Sequence, residues 1–210
     1  MKFLYPGGGA TSAYGIITAP NHKGIPADIV RGKLWGGDLG CLQGPAYVKK
    51  INFSAVANWL PNMMPYRANC LFLAGFDVVC DAQATLDAYE EYQDYFLGWP
   101  LAYVAQNGAE NLPIPVTCAA VFIGGDTAWK ESYEAVTVIQ RAQALGKHIH
   151  VGRVNWWRRY ELFRALPGAE LFTCDGNRQR YDGREKSLAA WTEYQEKVAI
   201  RQLALPVARI

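Results

Sequence analysis

A parallel α/β fold, as a (β/α) barrel before an open doubly wound sheet, is predicted for this 210-residue chain from three observations. Apolar runs of about five residues alternate with helical patterns, which is the signature of strands joined by crossover helices. The runs end, one after another, on polar residues or glycines: Asp38, Asp81, Gln106, Gly124 with Gly125, Arg153 with Asn155, and Asp175. Half the residues are hydrophobic and 19% are charged, enough apolar material for a large core and too little charge for disorder. A full barrel typically takes about 250 residues, so a compact, trimmed, single-domain version spanning 1–210 is expected.

The elements follow in order. Residues 7–9 are a glycine turn rather than a phosphate loop, since no lysine with Ser or Thr follows at the required spacing. An apolar run, 14–19, precedes a loop at 20–30 and a strand at 33–37 that delivers Asp38. A helix over 52–60 is broken by Pro61 and Pro65. Residues 70–74 form a strand leading through Phe76 and Asp77 to Asp81, before a helix over 82–96. Strands at 101–105 and 119–123 follow, then a helix over 128–145. A strand at 148–151, a Gly152-led turn, an arginine-rich helix and a strand at 170–174 place Asp175 and Gly176 at a strand tip. One amphipathic helix, 185–205, closes the chain.

Five cysteines, odd in number and scattered, suit neither a disulfide framework nor a zinc box, and fit the reduced thiols of a cytoplasm. No signal peptide or membrane span is expected, and no cofactor fingerprint or metal motif is present. The net charge is only +2, but basic residues crowd the last third: Arg153, Arg158, Arg159, Arg164, Arg178, Arg180, Arg184 and Lys186. A solvated helix face accounts for such a cluster as readily as a nucleic-acid rim does.

Three carboxylates, an amide and paired glycines at strand ends suit the edge of a purine, which presents both donors and acceptors. Two well-placed carboxylates also serve glycosidic chemistry, one at the sugar and one managing protons. The plainer roles are helix caps for Asp38 and Asp81, a strand-end amide for Gln106, and turns for Asp175 and the glycines.

The ordered set TAPNH (18–22), LWGGDLG (34–40), FDVVCDAQAT (76–85), YVAQNG (103–108), VFIGGDTAWK (121–130), HVGRVNWWRR (150–159) and LFTCDG (171–176) resembles the tRNA-guanine transglycosylase superfamily. The likeness is to its small phage and bacterial members, which insert 7-deazaguanine bases into DNA. The resemblance implies Asp175 as the nucleophile at C1′ and Asp38 as the acid that handles the proton on the base. It implies that Asp81 and Gln106 bond the purine edge, with Gly124 and Gly125 bringing backbone N–H groups against it. DNA, as a single strand or with a flipped base, and a free purine or 7-deazapurine base are the implied partners, in a phage-infected bacterial cytoplasm. The cysteine/histidine zinc site and C-terminal elements of the tRNA enzymes have no counterpart here, and the motif at Asp38 continues Leu-Gly-Cys-Leu rather than with the family's glycine pair and phenylalanine.

Arg153, Asn155, Trp156, Arg158, Arg159, Arg178 and Arg180 are the candidates for stacking on bases and contacting phosphate. Core packing is the competing role for at least one of Trp156 and Trp157. His148 and His150 share a strand, and one of them is expected to face the core. Base exchange, hydrolysis to an abasic site and non-enzymatic DNA binding remain open as outcomes of this residue set.

Overall fold

The computed structural model describes residues 1–7, 14–20, 24–46 and 50–176, apart from the side chain of Trp157. The expected helix at 185–205, Arg178 and Arg180 lie outside them.

Eight parallel strands close into a barrel in strict sequence order. They are β1 (Lys2–Pro6), β2 (Gly15–Thr18), β3 (Leu34–Asp38), β4 (Cys70–Ala74), β5 (Leu101–Ala105), β6 (Ala120–Ile123), β7 (His148–Val151) and β8 (Thr173–Cys174). Closure is made by β1 against β8, with Lys2 opposite Thr173 and Phe3 opposite Cys174. With helices around it, this is a TIM-like (β/α) barrel. The strand at β1 has no sequence signal of its own, because a strand buried on both faces lacks alternation, and Phe3, Leu4 and Tyr5 are all buried.

Among the described residues the trimming falls on the helices and not on the strands. A four-residue helix, α1 (Ala27–Val30), stands between β2 and β3. A 3-10 turn at Ala109–Asn111 stands between β5 and β6. Longer helices cover the remaining crossovers: α2 (Phe53–Met63), α3 (Ala82–Tyr92), α4 (Thr127–Lys130) with α5 (Tyr133–Ala144), and α6 (Trp157–Arg164). Among the described residues no helix is long and apolar enough to cross a membrane.

Of the element boundaries that differ from expectation, three have a clear local reason. Helix α2 runs through Pro61, which is exposed, as is Ala57, whose carbonyl loses its partner to the ring and can turn to water. The helix expected over 128–145 is split at Ser132, whose hydroxyl donates to the Trp129 carbonyl in competition with the helical ladder. The last strand is shorter than 170–174, because Gly168 at φ +74° turns Ala169–Leu171 into a 3-10 turn.

Inside the barrel, Leu4, Ile17, Phe72, Ala102 and Ala120 form the packed core, with Leu71 and Phe122 against it. Gly36 is required there: a Cβ would stand 2.5 Å from the Phe72 ring. Outside, Trp35 is fully buried between barrel and helices, edge-on to Trp59 and Trp99.

Candidate active site

The C-terminal ends of the strands form the mouth where barrels of this type carry chemistry. Asp175 follows β8 directly. Its Oδ1 accepts from the backbone N–H of Arg153 at 3.1 Å and lies 3.1 Å from His150 Nε2, and its side chain is 14% exposed. Arg153 reaches it only by adopting φ 58°, a left-handed conformation that costs a non-glycine residue roughly 1–3 kcal/mol. The loop is held there from several sides. Val154 N–H donates to the Asp175 carbonyl at 2.6 Å, Lys130 Nζ donates to the Gly152 carbonyl at 2.9 Å, and Arg159 donates to the Arg153 carbonyl at 2.7 Å. Gly176 fits against this loop because a Cβ would fall 2.6 Å from the Val154 carbonyl oxygen.

Asp38 ends β3, exposed, with its Oδ1 accepting the Gly40 N–H at 3.0 Å. The loop beyond it pairs with the loop after β4: Leu42 N–H donates to the Asp77 carbonyl and Val79 N–H to the Gln43 carbonyl. That pairing sets Asp77 beside Asp38. Burial first, and then the negative charge of Asp38, push the Asp77 carboxyl up to about 7 against the opposing effects of Arg153 and Gln106. Near neutral pH Asp77 is therefore present both as donor and as acceptor.

The expected base-binding residues do different work. Gln106 is 3% exposed and acts as a clip: its Nε2 donates to Asp77 at 2.6 Å, while its Oε1 accepts from Cys80 N–H and Gly125 N–H. Gly125 thus has its N–H engaged inside the protein, and Gly124 donates its own to the Ala105 carbonyl. Neither presents the backbone N–H expected for a base. Both are glycines for room, since a Cβ on Gly124 would meet Gln106 at 2.7 Å and one on Gly125 would meet Trp129 at 2.6 Å. Asp81 is exposed and caps α3, accepting from Ala84 N–H. Asp77, four positions earlier in the same motif, is the carboxyl tied to Gln106.

Among the described residues the expected basic rim is likewise thinner. Arg159 is 5% exposed and pairs with Glu131 at 3.0 Å while also donating to Thr127 and to the Arg153 carbonyl, so it braces the loop instead of meeting phosphate. Arg164 pairs with Glu161. Arg153 and Arg158 are exposed, Asn155 is half-buried, and Trp156 is 58% exposed at the start of α6. These remain on the mouth side of β7.

Two further groups were not marked in the sequence as site residues. Lys130 is buried, and burial first, then Arg153 and Arg159, lower its ammonium to about 7, with Asp175 and Asp126 acting in the opposite sense. His150 stands directly beneath Asp175. Both His148 and His150 turn into the barrel, not one of them, because residues i and i+2 share a face of a strand. Only the alternation of the two histidines pointed to this; for Lys130 a helical position gave no signal. Comparison with protein-family models, curated proteins and solved structures finds no match to this chain.

Proposed function

We propose that the chain cleaves the N-glycosidic bond of a nucleobase in DNA through Asp175, and exchanges guanine for a 7-deazaguanine-type base. One observation carries the proposal. Asp175 sits at the barrel mouth with both of its partners among the described residues on Oδ1, which points Oδ2 to the attack, while the acid pair Asp38 and Asp77 belongs to the same mouth. Attack of Oδ2 on C1′ forms a carbon–oxygen bond as the bond from C1′ to the base nitrogen breaks. The electron pair leaves with the base, and the acid pair supplies the proton, which Asp77 holds near neutral pH and Asp38 passes to the base. A second base, deprotonated by Asp38, reverses the step and frees Asp175. Asp77, clipped to Gln106, takes the place of Asp81 at the base edge, where a group that both donates and accepts suits a purine. The target base must be unpaired or flipped out, because C1′ and the base edge are unreachable inside a duplex.

The proposal is tested by incubating DNA with the chain, with and without free 7-deazaguanine base. Incorporation of the free base into an intact strand is the expected result. Alkali-labile breaks without added base would replace exchange by hydrolysis at the same residues. DNA left unchanged under both conditions, or an Asp175→Ala variant as active as the parent, would overturn the proposal. DNA affinity is expected to fall steeply with salt, since phosphate contacts release counterions.

A further inference from the structure

The barrel core holds polar groups that the proposed chemistry leaves unused. β7 and β8 turn His148, His150 and Thr173 inward, and with Asp175 they form one line. His148 Nε2 lies 2.8 Å from Thr173 Oγ1, His150 Nδ1 lies 2.9 Å from the same hydroxyl, and His150 Nε2 lies 3.1 Å from Asp175 Oδ1. The His150 ring is fully buried, 4.5 Å from the Phe72 ring centroid and 4.7 Å from that of Phe122. Apolar side chains fill the rest of this core, and a buried imidazole carries a desolvation penalty unless both nitrogens are bonded. Here both are.

Proton counting gives the line a direction. An ionised carboxylate only accepts, so His150 Nε2 carries a proton. In the neutral ring Nδ1 is then bare and accepts the single hydroxyl proton of Thr173. The Thr173 oxygen in turn accepts from His148 Nε2–H. His148 is neutral at pH 7, since burial, the largest of the causes acting on it, lowers it to about 4. Every bond in the line donates toward Asp175, and bonds aligned in this way strengthen one another. The other charged groups that act here are Lys130, from the end of α4, on Asp175, and Lys2, from β1, on His148.

We propose that His150 is a positioning residue for Asp175, held in its Nε2–H tautomer by Thr173 and His148, so that the barrel core orients the nucleophile. The catalytic part of this rests on the role proposed for Asp175; the tautomer and the line of bonds do not. The line places Oδ1 toward the core and the Arg153 N–H, which fixes the carboxylate plane and selects Oδ2 for attack.

Histidine ¹⁵N shifts of the whole protein at pH 7 test the line without any assay of activity. His148 and His150 are expected as single Nε2–H tautomers, and Asp175→Ala is expected to move the His150 Nε2 proton resonance. An Nδ1–H tautomer at His150, or an unmoved resonance, overturns the proposal even if the chain proves inactive on every nucleic acid. On active protein, His150→Phe keeps the ring volume and removes the donor. It is expected to lower turnover by about 10²-fold, as misplacing a reacting group does, with KM for DNA within a few-fold. The acid limb of its rate profile is expected to move to higher pH, because the carboxylate has lost a donor. His150→Gln, whose amide N–H reaches the position of Nε2, and Thr173→Ser are expected to recover most of the rate, whereas Thr173→Val is not. Full turnover in His150→Phe overturns the proposal. Should that variant fail to fold, the split between Thr173→Ser and Thr173→Val and the tautomer in the parent protein decide it.

Discussion

Asp77 shows how one side chain can couple the site to stability. Its carboxyl is raised in the folded state to about 7, so folding takes up protons between the ordinary carboxylate range and neutrality. The stability this confers is fully present below about pH 4 and is lost as pH rises through about 7. Asp77→Asn keeps an acceptor for Gln106 and cannot ionise. It is expected to be more stable than the parent at pH 8, by roughly 1–2 kcal/mol after allowance for partial exposure, and no more stable at pH 4. Urea unfolding at the two pH values measures this, and equal differences at both would contradict a raised Asp77 carboxyl. Arg159 makes the opposite case, of a charge whose loss is structural. Arg159→Met leaves Glu131 and the Arg153 carbonyl without their donor, and a loss of roughly 2–4 kcal/mol is expected. A variant of unchanged stability with weakened DNA binding would return Arg159 to the nucleic-acid rim.

At the scale of elements, α2 and the loop before α4 show opposite uses of backbone constraint. Pro61 lies inside α2 on its exposed side, where it removes a helical hydrogen bond without gaining a buried contact. Pro61→Ala is therefore expected to raise stability by about 1–2 kcal/mol, part of the roughly 3 kcal/mol that proline costs a helix interior. Thermal unfolding reads the difference, and a lowered Tm would mean that the ring holds α2 to the 3-10 turn that follows it, Met64–Asn69. Gly125, at φ +71° with Trp129 2.6 Å from where a Cβ would stand, has no such freedom. Gly125→Ala is expected to destabilise by roughly 2 kcal/mol and to shift the Trp129 emission, since strain and displacement act together. These two positions mark the difference between an element that tolerates a misfit facing water and one that positions Gln106, Asp77 and Cys80 around the mouth.

For the whole molecule, the mouth is electrostatically frustrated near neutral pH. Asp77 has lost its protonated-state advantage by about pH 7, while Lys130 is still partly charged in a buried position. Lys130 has a lowered folded value, so its penalty is complete below about 7 and is relieved as pH rises toward its ordinary 10.5. Lys130→Met is thus expected to gain most over the parent at pH 6 and progressively less toward pH 9. Comparing the two proteins pair by pair cancels the thiols of Cys70, Cys118 and Cys174, whose raised values act in the opposite sense above pH 9. A difference independent of pH would show that Lys130 titrates normally. Stabilities that favour a differently charged site over the one present are a common mark of residues kept for function.

The residues themselves determined most of the architecture. Apolar runs ending at 74, 105, 123 and 151 set β4 to β7 with their polar ends on one side, because each run is too short for a helix and too apolar for a loop. Asp38 and Asp175 were legible for the same reason: an acid after a strand, followed within two residues by glycine, has few places to be except the mouth. What only the tertiary structure decided is which of several polar groups meet. Asp77 and Asp81 are four positions apart in one motif, and only the folded loop shows that Asp81 caps α3 while Asp77 turns to Gln106. Arg159 is one of several arginines until Glu131, distant in sequence, comes within 3.0 Å. His150 and Thr173 lie on two strands joined through a helix, with Asp175 just past the second, and their line exists only because β7 and β8 pair in the register that sets His150 beside Thr173. Local chemistry specifies elements and their ends, whereas hydrogen-bond partners and buried charges are settled by register and closure, which depend on the whole chain.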